Sequence, residues 1–483
     1  MSNILQTSGA YPTEPFAERA RRAIADARLQ GALSQAMDHF MHGRETAFAE
    51  LDDAAALKRH GRAIREHTLA HLDDYLALLA QSVQRHGGHV HWARDATAAN
   101  HIVVELARER GIHLAVKSKS MATEEIHLNH ALTAAGIRPV ETDLGEWIIQ
   151  LAGETPSHII GPALHKTKAE VIELFAKETG RPVPSDAPIP DLTRIAREEL
   201  RQHFLAAGMG ISGANFAVAE TGTVVIVTNE GNGRFATGLP KIHVVVMGAE
   251  KVVPTWEDLM ELLKLLTRSA TGQRISSYVN CITGPRRLNE PDGPDEFHLI
   301  ILDNGRSSIL GQSRFREALY CIRCGACLSV CPVYRKIGGH AYGSVYPGPI
   351  GAVLTPLLQG LDQFPELPHA SSLCGACKDA CPLNIDLPGM LVELRCDAAE
   401  GNSGRPGRAP WVERALFRLY GWALQYPVLY RIGAKVGYWM QRPWIRNGRI
   451  PSVPIPPFSG WTAYRDFPQI AARPFHHRWT TDK

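Results

Sequence analysis

The chain has 483 residues, 45% of them hydrophobic and 21% charged, with a formal net charge of +3. That length exceeds one ordinary core and implies two or three domains of common globular composition. The charge is too small to argue for nucleic-acid binding, and no apolar run approaches the ~18 residues needed to span a bilayer, so a soluble or peripheral protein is expected.

Residues 1–87 read as a helical region. FAERARRAIADARLQGALSQAMDHFMHGRETAFAEL and HTLAHLDDYLALLAQSVQRHGG place apolar residues three and four apart, and the pattern stops at Gly87-Gly88. Over residues 88–300 the pattern alternates. GGHVHWA reads as a strand and DATAANHIVVELARERG as a helix between Asp95 and Gly111. IHLAVKSKS reads as a strand, MATEEIHLNHALTAAG as one helix, IRPVETD as a strand and WIIQLA as either. SHIIGPA reads as a strand, KTKAEVIELFAKETG as a helix, GTVVIVTNEG and KIHVVVMGAEKVV as strands, and WEDLMELLKLLTRSA as a helix. Such alternation predicts an α/β domain with a parallel-rich sheet, and the near-continuous Val/Ile runs predict cover on both faces.

Residues 301–400 form the cysteine-bearing module, with FREALY and LPGMLVELRCDAA as helices around a Gly/Pro-rich connector, GGHAYGSVYPGPIGAVLTP. Residues 401–483 begin with a linker, GNSGRPGRAP, and continue into a stretch rich in Trp, Tyr and Arg. From Arg408 onward there are 12 Lys and Arg against 3 Asp and Glu. Such a stretch suits packing on the protein's own core, a partner, or peripheral contact with an anionic membrane face. PSVPIPPF after it reads as a semi-rigid extended segment.

Seven of the nine cysteines fall in two runs, CIRCGACLSVCP and LCGACKDACP. The first carries Cys321, Cys324, Cys327 and Cys331, and the second Cys374, Cys377 and Cys381, each run ending in Cys-Pro. This is the spacing of two-cluster bacterial ferredoxins, in which the fourth cysteine of one run serves the other cluster. It predicts one [4Fe–4S] cluster on Cys321, Cys324, Cys327 and Cys381, and a second on Cys331, Cys374 and Cys377. The spacing calls for an eighth cysteine at 371, where the chain has Ser371. The fourth position of the second cluster is thus open to Ser371, Ser372, Cys396, a hydroxide or a partner residue, or is empty. Zinc fits less well, because its ligands usually converge from two paired units on one ion. The clustered cysteines and the lack of a legible secretory signal in MSNILQTSGAYPTEP point to a reducing cytoplasm, and Cys281 reads as a small buried hydrophobe.

Weaker signals lie in the α/β part. Gly210, Gly213, Gly222, Gly231 and Gly233 surround strand ends, where ligands bind in such sheets. Glu220 and Glu230 are candidate bases, and Arg234 a candidate anion partner. Lys117, Ser118, Lys119 and Ser120 follow a strand in a place that suits an anion, although Ser120 or Thr123 also suits a helix cap. No catalytic residue follows from these signals. No H-E-x-x-H occurs, and the spacing within GISGANFAVAETGTVVIVTNEGNGR matches neither a Walker loop nor a G-x-G-x-x-G fingerprint, so neither a histidine metal site nor hydride chemistry is expected.

VKSKSMATEEI, SHIIGPALHKTK, AETGTVVIVTNEGNGR and the two cysteine runs together resemble the lactate utilisation protein B family, the iron–sulfur subunit of bacterial L-lactate oxidation, over almost the whole chain. The resemblance implies an α/β lactate-utilisation domain, similar to sugar-isomerase and CoA-transferase-like folds, joined to a mostly helical ferredoxin-type module with two [4Fe–4S] clusters on the seven cysteines named above. It implies an electron-transfer subunit of an oxidoreductase complex that turns L-lactate into pyruvate. Lactate chemistry is left to a partner, and growth on lactate depends on the complex. The implied partners are a cysteine-rich subunit and a small subunit with its own lactate-utilisation domain, in the cytoplasm or at the inner face of the membrane. The electron acceptor is not specified. Two other readings share the same residues: a subunit that oxidises another 2-hydroxy acid of the glycolate type, and a CoA- or sugar-phosphate-binding domain with a redox module attached.

Overall fold

The computed structural model describes residues 14–402, 405–455, 458–462 and 465–473, together with residues 475 and 479. The stretch inspected for a secretory signal lies largely outside these residues, as do positions 456 and 457 of the extended PSVPIPPF segment. The chain divides into two compact units, with the boundary between Ala398 and Ala399.

The first unit opens with four helices, α1 Phe16–Ala25, α2 Ala27–Ala49, α3 Ala54–Ala70 and α4 Leu72–Arg85. Asp26 and Asp53 start α2 and α3 by accepting backbone N–H groups of the first turn, at 3.0 Å from Arg28 and 2.7 Å from Ala56. The strands follow as β1 His89–Ala93, β2 Leu114–Lys117, β3 Arg138–Glu141, β4 Met209–Ser212, β5 Phe216–Val218, β6 Thr223–Thr228, β7 Ile242–Gly248, β8 Val252–Val253, β9 Tyr278–Ile282 and β10 Glu296–Leu302. Six of them form one parallel sheet in the order β1-β10-β7-β4-β2-β3. Every residue of β7 is buried, as the apolar run Val244–Met247 requires.

The topology creates a crevice. From β2 the chain moves outward to β3, whereas from β4 it moves the other way, toward β7. The loops after β2 and β4 therefore diverge at the carboxyl ends of neighbouring strands, which is where open α/β sheets bind ligands. Between β4 and β7 the chain builds β5 and β6, two strands of a second, four-stranded sheet in the order β8-β5-β6-β9 that β8 and β9 complete after β7. There β6 runs antiparallel to both neighbours and Gly222, at φ 71°, makes the β5–β6 turn. This sheet does not follow from the sequence pattern, because its strands are short.

Several expected elements change. SHIIGPA is a loop: the Ser157 N–H and hydroxyl both bond the Pro162 carbonyl, at 3.0 and 2.9 Å, and fold the segment back on itself. MATEEIHLNHALTAAG is two helices, Met121–Glu125 and Leu128–Ala134, broken at His127 in left-handed conformation. WIIQLA is helical within Leu144–Ala152, capped by Asp143. The Gly/Pro-rich connector contains a buried helix, Gly348–Gln359, and a further helix, Ile189–Ala206, was not anticipated. Cys281 is exposed, because it lies on β9 at the edge of the smaller sheet.

The largest core does not respect the order of segments along the chain. It joins Leu33 and Met37 of α2, Ile64 of α3, Leu262 and Leu265 of the helix Trp256–Thr271, and the cysteine-bearing region through Cys324, Cys327, Cys331, Cys377 and Leu391. Polar contacts reinforce this. Arg44 donates to the Ala380 carbonyl at 2.7 Å, and Arg65, fully buried, donates to the carbonyls of Glu250, Val252 and Leu319.

In the second unit, the helices Trp411–Leu424 and Pro427–Met440 have no buried residue, and Trp411, Phe417, Tyr420, Trp422 and Trp439 are exposed. Among the described residues no helix is long and apolar enough to cross a membrane.

Candidate functional site

The two cysteine runs fold into near-copies of one loop. The residue before the second position is left-handed in both, Arg323 at φ 59° and Leu373 at φ 55°. The glycine after that position is left-handed too, Gly325 at 76° and Gly375 at 87°. The Leu328 N–H meets the Gly325 carbonyl at 2.9 Å, and the Lys378 N–H meets the Gly375 carbonyl at the same distance. The sulfurs of Cys324 and Cys374 each accept the N–H two residues on, from Ala326 and Ala376. At the head of the first loop, Cys321 Sγ accepts the Arg323 N–H at 3.4 Å. At the head of the second, Ser371 Oγ accepts the Leu373 N–H at 3.1 Å. The Ser371 hydroxyl thus stands where the first loop carries a thiol.

The loops bring the seven cysteines into two groups, crossed between the runs. Burial pushes the Cys324 thiol up to about 12, with Cys321 and Cys381 adding to the effect, and Cys327 is raised by burial and by Cys321, Cys324 and Cys381. In the other group, burial pushes Cys377 up to about 12, helped by Cys331 and Cys374. Cys374 is exposed and is lowered instead, by the Ala376 N–H and the Ser372 hydroxyl. Cys396 is exposed on the helix Leu387–Glu400. Thiols packed so closely cannot all ionise on their own. A cationic cluster removes that obstacle, because a coordinated thiol is deprotonated outright. Backbone N–H groups also point at the sulfurs, from Ile350 to Cys327, from Ile385 and Leu383 to Cys381, and from Tyr334 to Cys331 at 3.5 Å. Arg44 faces Cys324 and Cys381 with positive charge. The donor set, burial and charge therefore fit iron–sulfur clusters.

A cavity of about 340 Å³ opens at the crevice between β2 and β4 and reaches the first cysteine loop. Ser118, Lys119 and Ser120 follow β2, Gly213 to Asn215 follow β4, Glu250 and Lys251 follow β7, and Arg323 comes from between Cys321 and Cys324. Arg323 donates to Glu250 at 3.2 Å and lies 5.1 Å from the centre of the Tyr346 ring. Arg306 holds Glu125 in a two-pronged pair at 2.9 and 2.8 Å and also bonds Glu250. Burial alone raises the Glu250 carboxyl, but Arg306 and Arg323 outweigh it and hold the group at about 2. At the other end of the cavity, burial and then the Asp143 carboxylate push Glu230 up to about 7.

The weaker candidates separate. Glu230, Lys119, Ser118, Ser120, Gly213 and Gly233 line the cavity. Lys117 is buried between Glu124 and Glu141, Ser120 caps the helix Met121–Glu125 at 3.2 Å from the Thr123 N–H, Glu220 bonds the Trp256 N–H at 2.9 Å, and Arg234 sits over the Tyr278 ring. Lys251, Asn232, Arg323 and Arg44 were missed, since no motif spacing marks them. Tyr342 was missed as well: it is fully buried between Cys327 and Cys331, and its hydroxyl has no partner. Glu154, His165 and His340 also gather, with donor atoms within 4.8 Å of one another, though no histidine metal site was expected; Glu154 bonds His165 and Lys166, and His340 bonds the Thr155 carbonyl at 2.7 Å.

Fold and site together define an α/β domain fused to an iron–sulfur dicluster module. The LUD domain model matches residues 76–302, the 4Fe-4S dicluster domain model residues 317–385, and the model of the lactate utilisation protein B C-terminal region residues 393–483. Proteins named Lactate utilization protein B are 47% identical in Shouchella clausii (strain KSM-K16), 46% in Geobacillus kaustophilus (strain HTA426) and 45% in Oceanobacillus iheyensis (strain DSM 14371 / CIP 107618 / JCM 11309 / KCTC 3954 / HTE831). These alignments cover 95%, 97% and 96% of both chains. The chain belongs to the lactate utilisation protein B family.

Proposed function

We propose that this chain is the iron–sulfur electron-transfer subunit of a complex that oxidises L-lactate to pyruvate and so allows growth on lactate. The observation that carries the reading is the crossed grouping of seven cysteines in two duplicate loops, fused to the LUD domain of this family. Cys321, Cys324, Cys327 and Cys381 hold one [4Fe–4S] cluster. Cys331, Cys374 and Cys377 hold a second, with the Ser371 oxygen at its fourth position. Bound there, the clusters accept and pass single electrons, two of which leave each lactate. The chain's own residues set the conditions. Burial excludes water from the thiolates, Arg44 offsets their charge, and the N–H groups of Ile350, Leu383 and Ile385 stabilise the sulfurs.

The partners in this reading are a cysteine-rich subunit and a small subunit with a second lactate-utilisation domain. The exposed aromatic, basic helices of the second unit are the part suited to dock such a subunit, since Trp, Tyr and Arg lead interface hot spots. Two measurements test the reading. Anaerobically isolated chain is expected to hold about eight irons with matching sulfide; a colourless, zinc-loaded chain overturns the cluster assignment. A strain lacking the gene is expected to fail on L-lactate and to grow on glycolate. Normal growth on L-lactate overturns the pathway.

A further inference from the structure

We infer that the crevice between β2 and β4 binds a small 2-hydroxy carboxylate on this chain, beside the first cysteine loop. This rests on the lactate-oxidation reading and deepens it, because it moves the hydroxy acid from a partner subunit to a defined site here.

Three cavity residues have buried polar atoms without a partner: Ser118 Oγ, Asn232 Oδ1 and Arg323 Nε, in side chains 3%, 7% and 7% exposed. Buried polar atoms are almost always paired, so three orphans around one cavity mark a missing occupant. Their chemistry describes it. Arg323 Nε offers a donor beside Lys251, which forms no hydrogen bond or ion pair among the described residues. Together they suit a carboxylate. Asn232 Oδ1 needs a donor, which a hydroxyl supplies, and Ser118 Oγ can give or take a hydrogen bond. Ile159, Ile160, Ile226 and Leu266 provide apolar wall for a short aliphatic group.

Charge narrows the class further. The cavity is lined by Lys119, Lys251, Arg306 and Arg323 against Asp143, Glu230 and Glu250, and Glu250 is already shared by Arg306 and Arg323. Arg306 is further held by Glu125, so the lining has no large positive excess, and Lys251 and Arg323 at the cysteine-loop end suit a single carboxylate better than a phosphate ester. Two glycines of the lining pack closely against neighbouring side chains. A Cβ on Gly213 would come 2.6 Å from Ser120 Oγ, and one on Gly233 3.2 Å from Asn280 Nδ2. The site stands at the topological switch point of the sheet, so strand ends and cysteine loop converge on it.

The test is calorimetric titration of the anaerobic, iron-loaded full chain with L-lactate, pyruvate, propionate, inorganic phosphate and CoA. Saturable L-lactate binding is expected, with propionate weaker because it leaves Asn232 unpaired. Lys251→Met and Asn232→Leu are each expected to weaken L-lactate at least about tenfold, with iron content and circular dichroism unchanged, while Lys251→Arg retains binding. Absence of L-lactate binding, equal binding by the variants, or binding of phosphate or CoA in its place overturns the site. Growth separates this from the broader reading. If the deletion strain fails on lactate but the chain does not bind it, the crevice assignment falls and the electron-transfer role stands. If the strain grows normally, the role itself falls.

Discussion

Ser371 and Cys321 head two loops with the same left-handed residues and the same first hydrogen bond, so one side chain tests the second cluster. Ser371→Cys is expected to complete a thiolate set and change the electron paramagnetic resonance spectrum of the reduced protein at unchanged iron content. Ser371→Ala is expected to lose one iron and to show a three-iron signal when oxidised. Unchanged spectra in both variants would mean that the side chain does not reach the cluster. A second residue-scale prediction concerns Arg306, which is 2% exposed and paired with Glu125 and Glu250. Arg306→Met leaves the buried Glu125 carboxylate without its cation and Glu250 with Arg323 alone, and the expected loss is about 3–5 kcal/mol in chemical denaturation. A loss below about 1 kcal/mol would show that the carboxylates find other partners. The cysteines were legible because their spacing is local. Lys251, Asn232 and Arg323 were not, because only the fold brings them together, from β7, the loop after β6 and the cysteine module.

At the scale of elements, periodicity identified what was long and uniform. β7 and the helices Ala96–Glu109, Lys168–Thr179 and Trp256–Thr271 follow their patterns and their caps at Asp95, Thr167 and Thr255. Short elements were decided by contacts that sequence does not display. SHIIGPA has strand composition, yet Ser157 bonds back to Pro162, and His158 Nδ1 accepts the N–H groups of Ile160 and Gly161 at 3.0 and 3.1 Å. β4, only four residues long, depends on Gly210, where a Cβ would fall within the Ala236 carbonyl oxygen. Gly210→Ala must push the helix Asn232–Gly238 away from the sheet, and the expected loss is about 1–3 kcal/mol. Because that helix begins at Asn232, the same variant is expected to weaken L-lactate binding. An unchanged melting temperature would show that the helix can shift freely.

At the scale of the molecule, the sequence suggests a cysteine module that unfolds by itself when iron is lost, since cluster-binding energy contributes directly to folding. The shared core changes what that loss should do. Met37 and Ile64 pack in one cluster with Cys324, Cys327 and Leu328, and a Cβ on Gly61 would collide with Leu265 and lie 3.2 Å from Leu383. Arg62 of α3 bonds the Leu383 and Asn384 carbonyls at 3.2 and 2.9 Å. The α2 and α3 helices therefore both pack directly against the cysteine region. By contrast, Val103 and Ala107 of the helix Ala96–Glu109 belong to a separate core with β2, β4 and β7. Removing iron with a chelator under anaerobic conditions is accordingly expected to speed amide exchange across α2 and α3 as well as residues 321–385, while the helix Ala96–Glu109 stays protected. Faster exchange confined to the cysteine loops would show that the shared core holds without metal. Loss of protection throughout the first unit would show that both cores unfold together.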